Sequence, residues 1–171
     1  MPAHLVRRRV LAAAPVLLLT ALLVATLMVL TTARQADAFT AKARSHRDQK
    51  VLHGLKIARN QVGDPYRYGA DGPSAFDCSG LTEFAFKKVG LRLPRSSDAQ
   101  YQHVRHIRKK NIKRGDLMFF SDGGGVYHVG IYLGRARDGR ALMLHSPYPG
   151  QRVHRERVWT SHWSAGTLRL R

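Results

Sequence analysis

From Val10 to Leu30 the chain carries no charged residue, and this run follows directly on Arg7, Arg8 and Arg9. Such a segment belongs in a bilayer or an export channel, since about 20 apolar residues suffice to cross a membrane. Thr31 to Ala38 then turns small and polar and ends in Ala36-Asp37-Ala38. A basic start, an apolar centre and an A-x-A end have the layout of a secretory signal peptide cleaved after Ala38. The alternative is an uncleaved anchor, the only membrane attachment that this sequence predicts. No cysteine lies near the end of the segment, which excludes a lipoprotein.

With 1–38 read as the signal, 133 residues remain, enough for one domain with a real core. We expect a short N-terminal segment over 39–50 and a single folded domain over 51–171, acting as a monomer. Residues 39–171 carry 25 Lys and Arg against 10 Asp and Glu, a formal charge of +15. The excess suits an anionic membrane face or anionic cell-wall polymers, and export argues against nucleic acid. Its one dense run, Arg105 to Lys110 with Lys113-Arg114, reads as a solvated face.

Val51, Leu55, Ala58 and Val62 are spaced four, three and four apart, one stripe of an amphipathic helix over 41–62 that Gly63 closes. Pro65 to Pro73 is a Pro-, Gly- and Tyr-rich loop. A second helix starts at Asp77, with Leu81, Phe84, Ala85 and Val89 on one face and Gly90 at its end. Ser96 or Ser97 caps a short helix running through His106, after which the basic run returns to loop. Then strands are expected over 116–121, 126–134, 141–146, 151–158 and 167–171, separated by turn residues. Asp138-Gly139 is a hairpin turn signal between the second and third. Helices first and an antiparallel sheet second make an α+β domain.

Cys78 is the only cysteine. Exported proteins usually pair their thiols, so a lone one asks for a reason. It falls in the first turn of the second helix, where unpaired backbone N–H groups favour a thiolate. The competing reading, a small buried core residue, fits less well, because Cys78 precedes the apolar face of its helix.

A nucleophilic thiol needs a base, and nine histidines are available. His4 lies in the signal, His46 and His53 among charges on the first helix, and His154 and His162 beside Arg or Ser in the polar C-terminal part. His103 and His106 share a helical face but have no carboxylate or second cysteine nearby, so a metal site is not expected there. His128 in VYHVGIYLG and His145 in ALMLHS sit instead inside strands, where a polar ring must be satisfied by something. If Asp138-Gly139 is a two-residue turn, His145 lies opposite Tyr132, on the same face as His128 but about 13 Å along the strand. Contact then requires strong twist, a bulge or a shifted turn.

In order, GDPYRYGADGPSAFDCSGL, LRLPRSSDAQ, KRGDLMFF, HVGIYLG and MLHSP resemble the motifs of the NlpC/P60 cysteine peptidases. The resemblance runs from about Val51 to the C-terminus. It implies a papain-like NlpC-type fold and cleavage of peptidoglycan stem peptides, usually between γ-D-glutamyl and a diamino acid. It makes Cys78 the nucleophile, His128 the base and His145 the residue that orients it. Tyr66 falls at the oxyanion and substrate pocket, Asp77 and Ser79 line the pocket, and Arg95 and Ser96 are further substrate-binding candidates. No metal or other cofactor is implied. Tyr68-Gly69-Ala70 replaces the family's aromatic-Gly-Gly, and the span from His128 to His145 is longer than is common. The expectation is a secreted, wall-associated thiol hydrolase. The alternatives are an N-acetylmuramoyl-L-alanine amidase or other amide or acyl hydrolase on the same fold, a non-catalytic wall-binding protein, and a basic membrane or nucleic-acid binder.

Overall fold

The stripe Val51, Leu55 and Ala58 is buried, as its spacing predicts, while Val62 is exposed beyond the end of the helix. The computed structural model describes residues 14–169, with side chains from residue 22. The helix, α1 (Ala14–Arg59), starts far earlier than the stripe suggests. It contributes to two units that are described separately, Met1–Lys42 and Ala43–Arg171.

In the first unit every side chain from Leu22 to Lys42 is exposed. The helix from Leu22 onward is long and apolar enough to cross a membrane, with a mean hydropathy of 1.2, a property that signal sequences share. Arg7–Arg9 and the first residues of the apolar run lie outside the described residues.

The second unit holds every buried residue among those described. After α1 come α2 (Cys78–Lys87), α3 (Ser97–His103), β1 (Arg105–Ile107), β2 (Leu117–Ser121), β3 (Val126–Arg135), β4 (Ala141–His145), β5 (His154–Arg157) and β6 (Trp163–Thr167). The strands form one antiparallel sheet in the order β1-β6-β2-β3-β4-β5. Alternation along β2 divides the core between the two faces of the sheet. Leu117 and Phe119 pack with Val129, Ile131, Leu144 and the helical residues Val51, Leu55, Leu81 and Phe86. Met118 and Phe120 join Tyr132, Met143 and Val158 in a second cluster.

Several boundaries differ from expectation. The short helix stops at His103, because Val104 is extended, and the start of the basic run pairs with β6 as a strand. The basic charge therefore sits on a sheet edge, a common defence against edge-to-edge pairing. The last strand covers 163–167, earlier than the expected 167–171, of which 170 and 171 lie outside the described residues. The expected strand over 151–158 is regular only over 154–157.

The hairpin register also differs from that of a two-residue turn at Asp138-Gly139. The loop spans 136–140, closed by Ala136 N–H donating to Arg140 O at 2.8 Å, and β3 is bulged between Tyr132 and Gly134. Tyr132 therefore faces Met143, and Ile131 faces Leu144. Continued by one residue, this register draws His145 two positions closer to His128 than the turn signal implies.

Candidate active site

Asp77, where the sequence starts the second helix, is its N-cap. Its Oδ1 accepts from Gly80 N–H at 2.7 Å and Ser79 Oγ–H at 3.2 Å, and its Oδ2 accepts from Gly69 N–H at 3.0 Å. Arg95 forks onto the same carboxylate: Nη1 donates to Asp77 Oδ1 at 2.9 Å and to Ser79 Oγ at 3.0 Å, while Nη2 pairs with Oδ2. Burial opposes the Asp77 charge, but Arg95 and the Gly80 N–H outweigh it and hold the carboxyl below its usual range. A Cβ on Gly80 would lie 2.2 Å from Ala70 O, so this glycine lets the start of α2 lie flat on the Tyr-rich loop.

This scaffold holds Cys78 in the first turn, partly buried. Burial pushes its thiol up, the Val129 N–H pulls it down, the Asp77 carboxylate raises it further, and Ser79 lowers it. The net effect is upward, so the resting sulfur is a protonated thiol that a neighbouring base has to activate. Cys78 packs against the core cluster that includes Val129 of β3, the residue after His128. Tyr66 is also raised, by burial, then by Cys78 in its thiolate form and by the Asp77 carboxylate, so its hydroxyl stays protonated and can donate. Tyr66, Asp77, Cys78, Ser79, Arg95 and Ser96 line one cleft of about 380 Å³. Ser96 also caps α3 through Ala99 N–H at 3.2 Å.

His128 and His145 meet. His128 Nε2 lies 2.9 Å from His145 Nδ1, leaving His128 Nδ1 as the nitrogen open to a proton-transfer partner. Burial holds His128 at about 4, and burial followed by the charge of His128 holds His145 at about 3. Both rings are therefore neutral at pH 7, the state a general base requires. Phe120 lies beside His128, and Trp159 stacks on Phe120 with ring centroids 5.0 Å apart. Tyr127, His128, His145, Tyr148, Glu156 and Trp159 line a second cleft of about 250 Å³, and Tyr127 lines both. A larger cleft of about 600 Å³, lined by Arg105, Lys110, Lys113 and Arg169 among others, contains no cysteine or histidine.

Two residues passed over in the sequence belong beside this pair. Pairing of β4 with β5 sets His154 opposite His145, and Glu156 lies two residues further on the same face. Glu156 Oε2 is 2.9 Å from His145 Nε2 and 3.6 Å from His154 Nε2. The first contact is out of line for a hydrogen bond, and Nε2 is buried without another partner. The tautomer that suits this distance has the His145 proton on Nε2, because a carboxylate oxygen and a nitrogen lone pair repel at that range. In that tautomer His145 accepts at Nδ1 from the His128 Nε2–H, and the lone pair of His128 is on Nδ1. The period-two spacing of His154 and Glu156 was the available signal. His103 and His106 do not form a comparable group: the His106 ring stacks on Tyr101, and its Nε2 contacts Tyr101 O at 2.8 Å.

The arrangement contains a thiol at a helix start, a neutral imidazole polarised by a second one, and a phenol that can donate, the parts of a nucleophilic acyl-transfer site. The model of the NlpC/P60 family matches residues 63–171. Over 80 residues the chain is 46% identical to a protein named probable endopeptidase p60 from Listeria monocytogenes, covering 47% of this chain and 16% of that one. Over 107 residues it is 40% identical to the peptidoglycan endopeptidase RipB of Mycobacterium tuberculosis, covering 55% and 44%. The chain thus spans about a sixth of the p60 relative and under half of RipB. The solved structure of RipB superposes with a TM-score of 0.64 at 31% identity, covering 75% of this chain and 69% of that chain. The P60 domain of the M. avium subspecies paratuberculosis antigen MAP1204 gives 0.63 at 31%, covering 72% and 98%. With the match spanning more than half of its length and the α+β fold in agreement, this chain belongs to the NlpC/P60 family.

Proposed function

We infer that the protein is a wall-associated cysteine peptidase that hydrolyses a peptide bond in peptidoglycan stem peptides, between γ-D-glutamyl and the diamino acid. The observation that carries the reading is the 2.9 Å contact between His128 Nε2 and His145 Nδ1, with Cys78 packed against the core cluster that holds Val129, the residue next to His128. The relatives named endopeptidase p60 and peptidoglycan endopeptidase RipB support the substrate class.

In the proposed mechanism His128 Nδ1 takes the Cys78 proton as sulfur attacks the carbonyl carbon. The Cys78 N–H, which has no intrahelical partner in the first turn, and the Tyr66 hydroxyl donate to the developing oxyanion. Collapse breaks the C–N bond, with His128 returning its proton to the leaving amine. Water, deprotonated by His128, then hydrolyses the thioester and regenerates the thiol. His145 holds the ring of His128, and the cleft built by Asp77, Ser79, Arg95 and Ser96 binds the stem.

The N-terminal segment exports the domain, with cleavage after Ala38, and the +15 charge of the remainder draws it to anionic wall polymers. Wall association of residues 39–171 is expected to weaken as salt rises toward 1 M, where the screening length falls to about 3 Å; salt-independent association would remove that role for the charge. Digestion of defined muropeptides, read by mass spectrometry, tests the reaction. A new amino terminus on the diamino acid is expected, whereas a free muramoyl lactyl group with an intact stem would make the protein an amidase.

A further inference from the structure

We propose that His145, His154 and Glu156 form a zinc site whose occupation switches off His128. The proposal rests on the catalytic reading of His128 for its effect, but not for the binding itself.

The three donor atoms, His145 Nε2, His154 Nε2 and Glu156 Oε2, lie within 4.8 Å of one another. At Zn–N and Zn–O distances of about 2.0–2.2 Å, tetrahedral ligand atoms stand roughly 3.3–3.5 Å apart. The observed separations from Glu156 Oε2 are 2.9 Å to His145 and 3.6 Å to His154, on either side of that value. Two histidines and one carboxylate with a fourth position left to water is an established donor set for Zn²⁺. The site is built on rigid elements: His145 and His154 are a directly opposed pair on β4 and β5. His145 is buried, and its Nε2 has no hydrogen-bond partner, whereas His154 and Glu156 remain 38% and 41% exposed and provide the way in.

The consequence for the active site follows from proton positions alone. Without metal, the tautomer that suits the Glu156 contact has the His145 proton on Nε2, with His128 donating from Nε2 to His145 Nδ1. Zinc takes the Nε2 lone pair, so the neutral His145 ring must carry its single proton on Nδ1. Nδ1–H then donates to His128 Nε2, which has to become the acceptor. The proton of His128 accordingly moves to Nδ1, the nitrogen needed to receive the thiol proton. No proton is gained or lost; each ring changes tautomer, and His128 ceases to be a base toward Cys78. The metal is an inhibitor at this position and takes no part in peptide hydrolysis.

The test uses untagged residues 39–171, which contain every buried residue described. Zn²⁺ titrated into the Cys78→Ala variant, which removes the competing thiol ligand, is expected to bind one ion per chain. Adding His154→Ala should weaken that binding at least tenfold. In chains that retain Cys78, Zn²⁺ should inhibit muropeptide cleavage, and His154→Ala alone should keep metal-free activity while resisting inhibition at the same concentration. Absence of a one-to-one site in Cys78→Ala, unchanged affinity on His154→Ala, or equal inhibition of the His154→Ala enzyme would each overturn the proposal. If the catalytic reading fails but this one is right, the His154-dependent binding persists in a protein without hydrolase activity.

Discussion

Two buried, neutral imidazoles make the domain sensitive to acid in a defined window. His128 is held at about 4 against an ordinary 6.5. As pH falls, the unfolded chain takes up this proton first, so the stability present above pH 6.5 is lost progressively toward pH 4. At about 1.4 kcal/mol per unit, the loss reaches about 2 kcal/mol at pH 5 and about 3 kcal/mol below pH 4. His145 is depressed in the same direction, and because the rings are 2.9 Å apart the two titrate as a pair. For a domain of this size, about 2 kcal/mol corresponds to a melting temperature roughly 6–10 °C lower at pH 5 than at pH 7.5. Thermal unfolding of residues 39–171 followed by circular dichroism reads this directly. The double variant His128→Phe with His145→Leu removes both titrating rings and should flatten the dependence. A wild-type melting temperature that moves by less than about 2 °C, or a double variant that falls as steeply, would refute the buried, neutral pair.

Two further outcomes follow from single contacts. Gly80→Ala places a Cβ 2.2 Å from Ala70 O and 2.9 Å from Asp71 Cα, so denaturant unfolding should show a loss of about 1–3 kcal/mol. Glu156→Ala removes the carboxylate that selects the His145 tautomer and should lower kcat about tenfold with KM little changed, while Glu156→Gln, which keeps an acceptor oxygen, restores most of the rate. Equal losses in the two Glu156 variants would mean that the side chain serves packing alone.

The local parts of this molecule were readable because their signals are local. The helix start at Asp77 with Cys78 in its first turn, and the cap at Ser96, one of the two serines the sequence offered, each rest on contacts within three residues and are observed. The pairing of His128 with His145 was not readable to the same degree, because one bulge between Tyr132 and Gly134 shifts the register and no residue type announces it. Glu156 and His154 stayed hidden for a related reason. Their importance comes from the pairing of β5 with β4, whereas in sequence they are two polar residues among arginines. Arg105–Ile107 read as the end of a helix running into a loop, because its charge is visible and its pairing with β6, some sixty residues later, is not.

The central claim is that Cys78 performs acyl transfer. Its most direct test is the rate at which residues 39–171 cleave a defined stem peptide, compared between the native chain and Cys78→Ala under identical conditions. A loss of at least about 10³-fold with the circular dichroism spectrum unchanged is predicted, because the thiol is the only nucleophile in the proposed route. A Cys78→Ala protein that retains cleavage within tenfold of the native rate would contradict it.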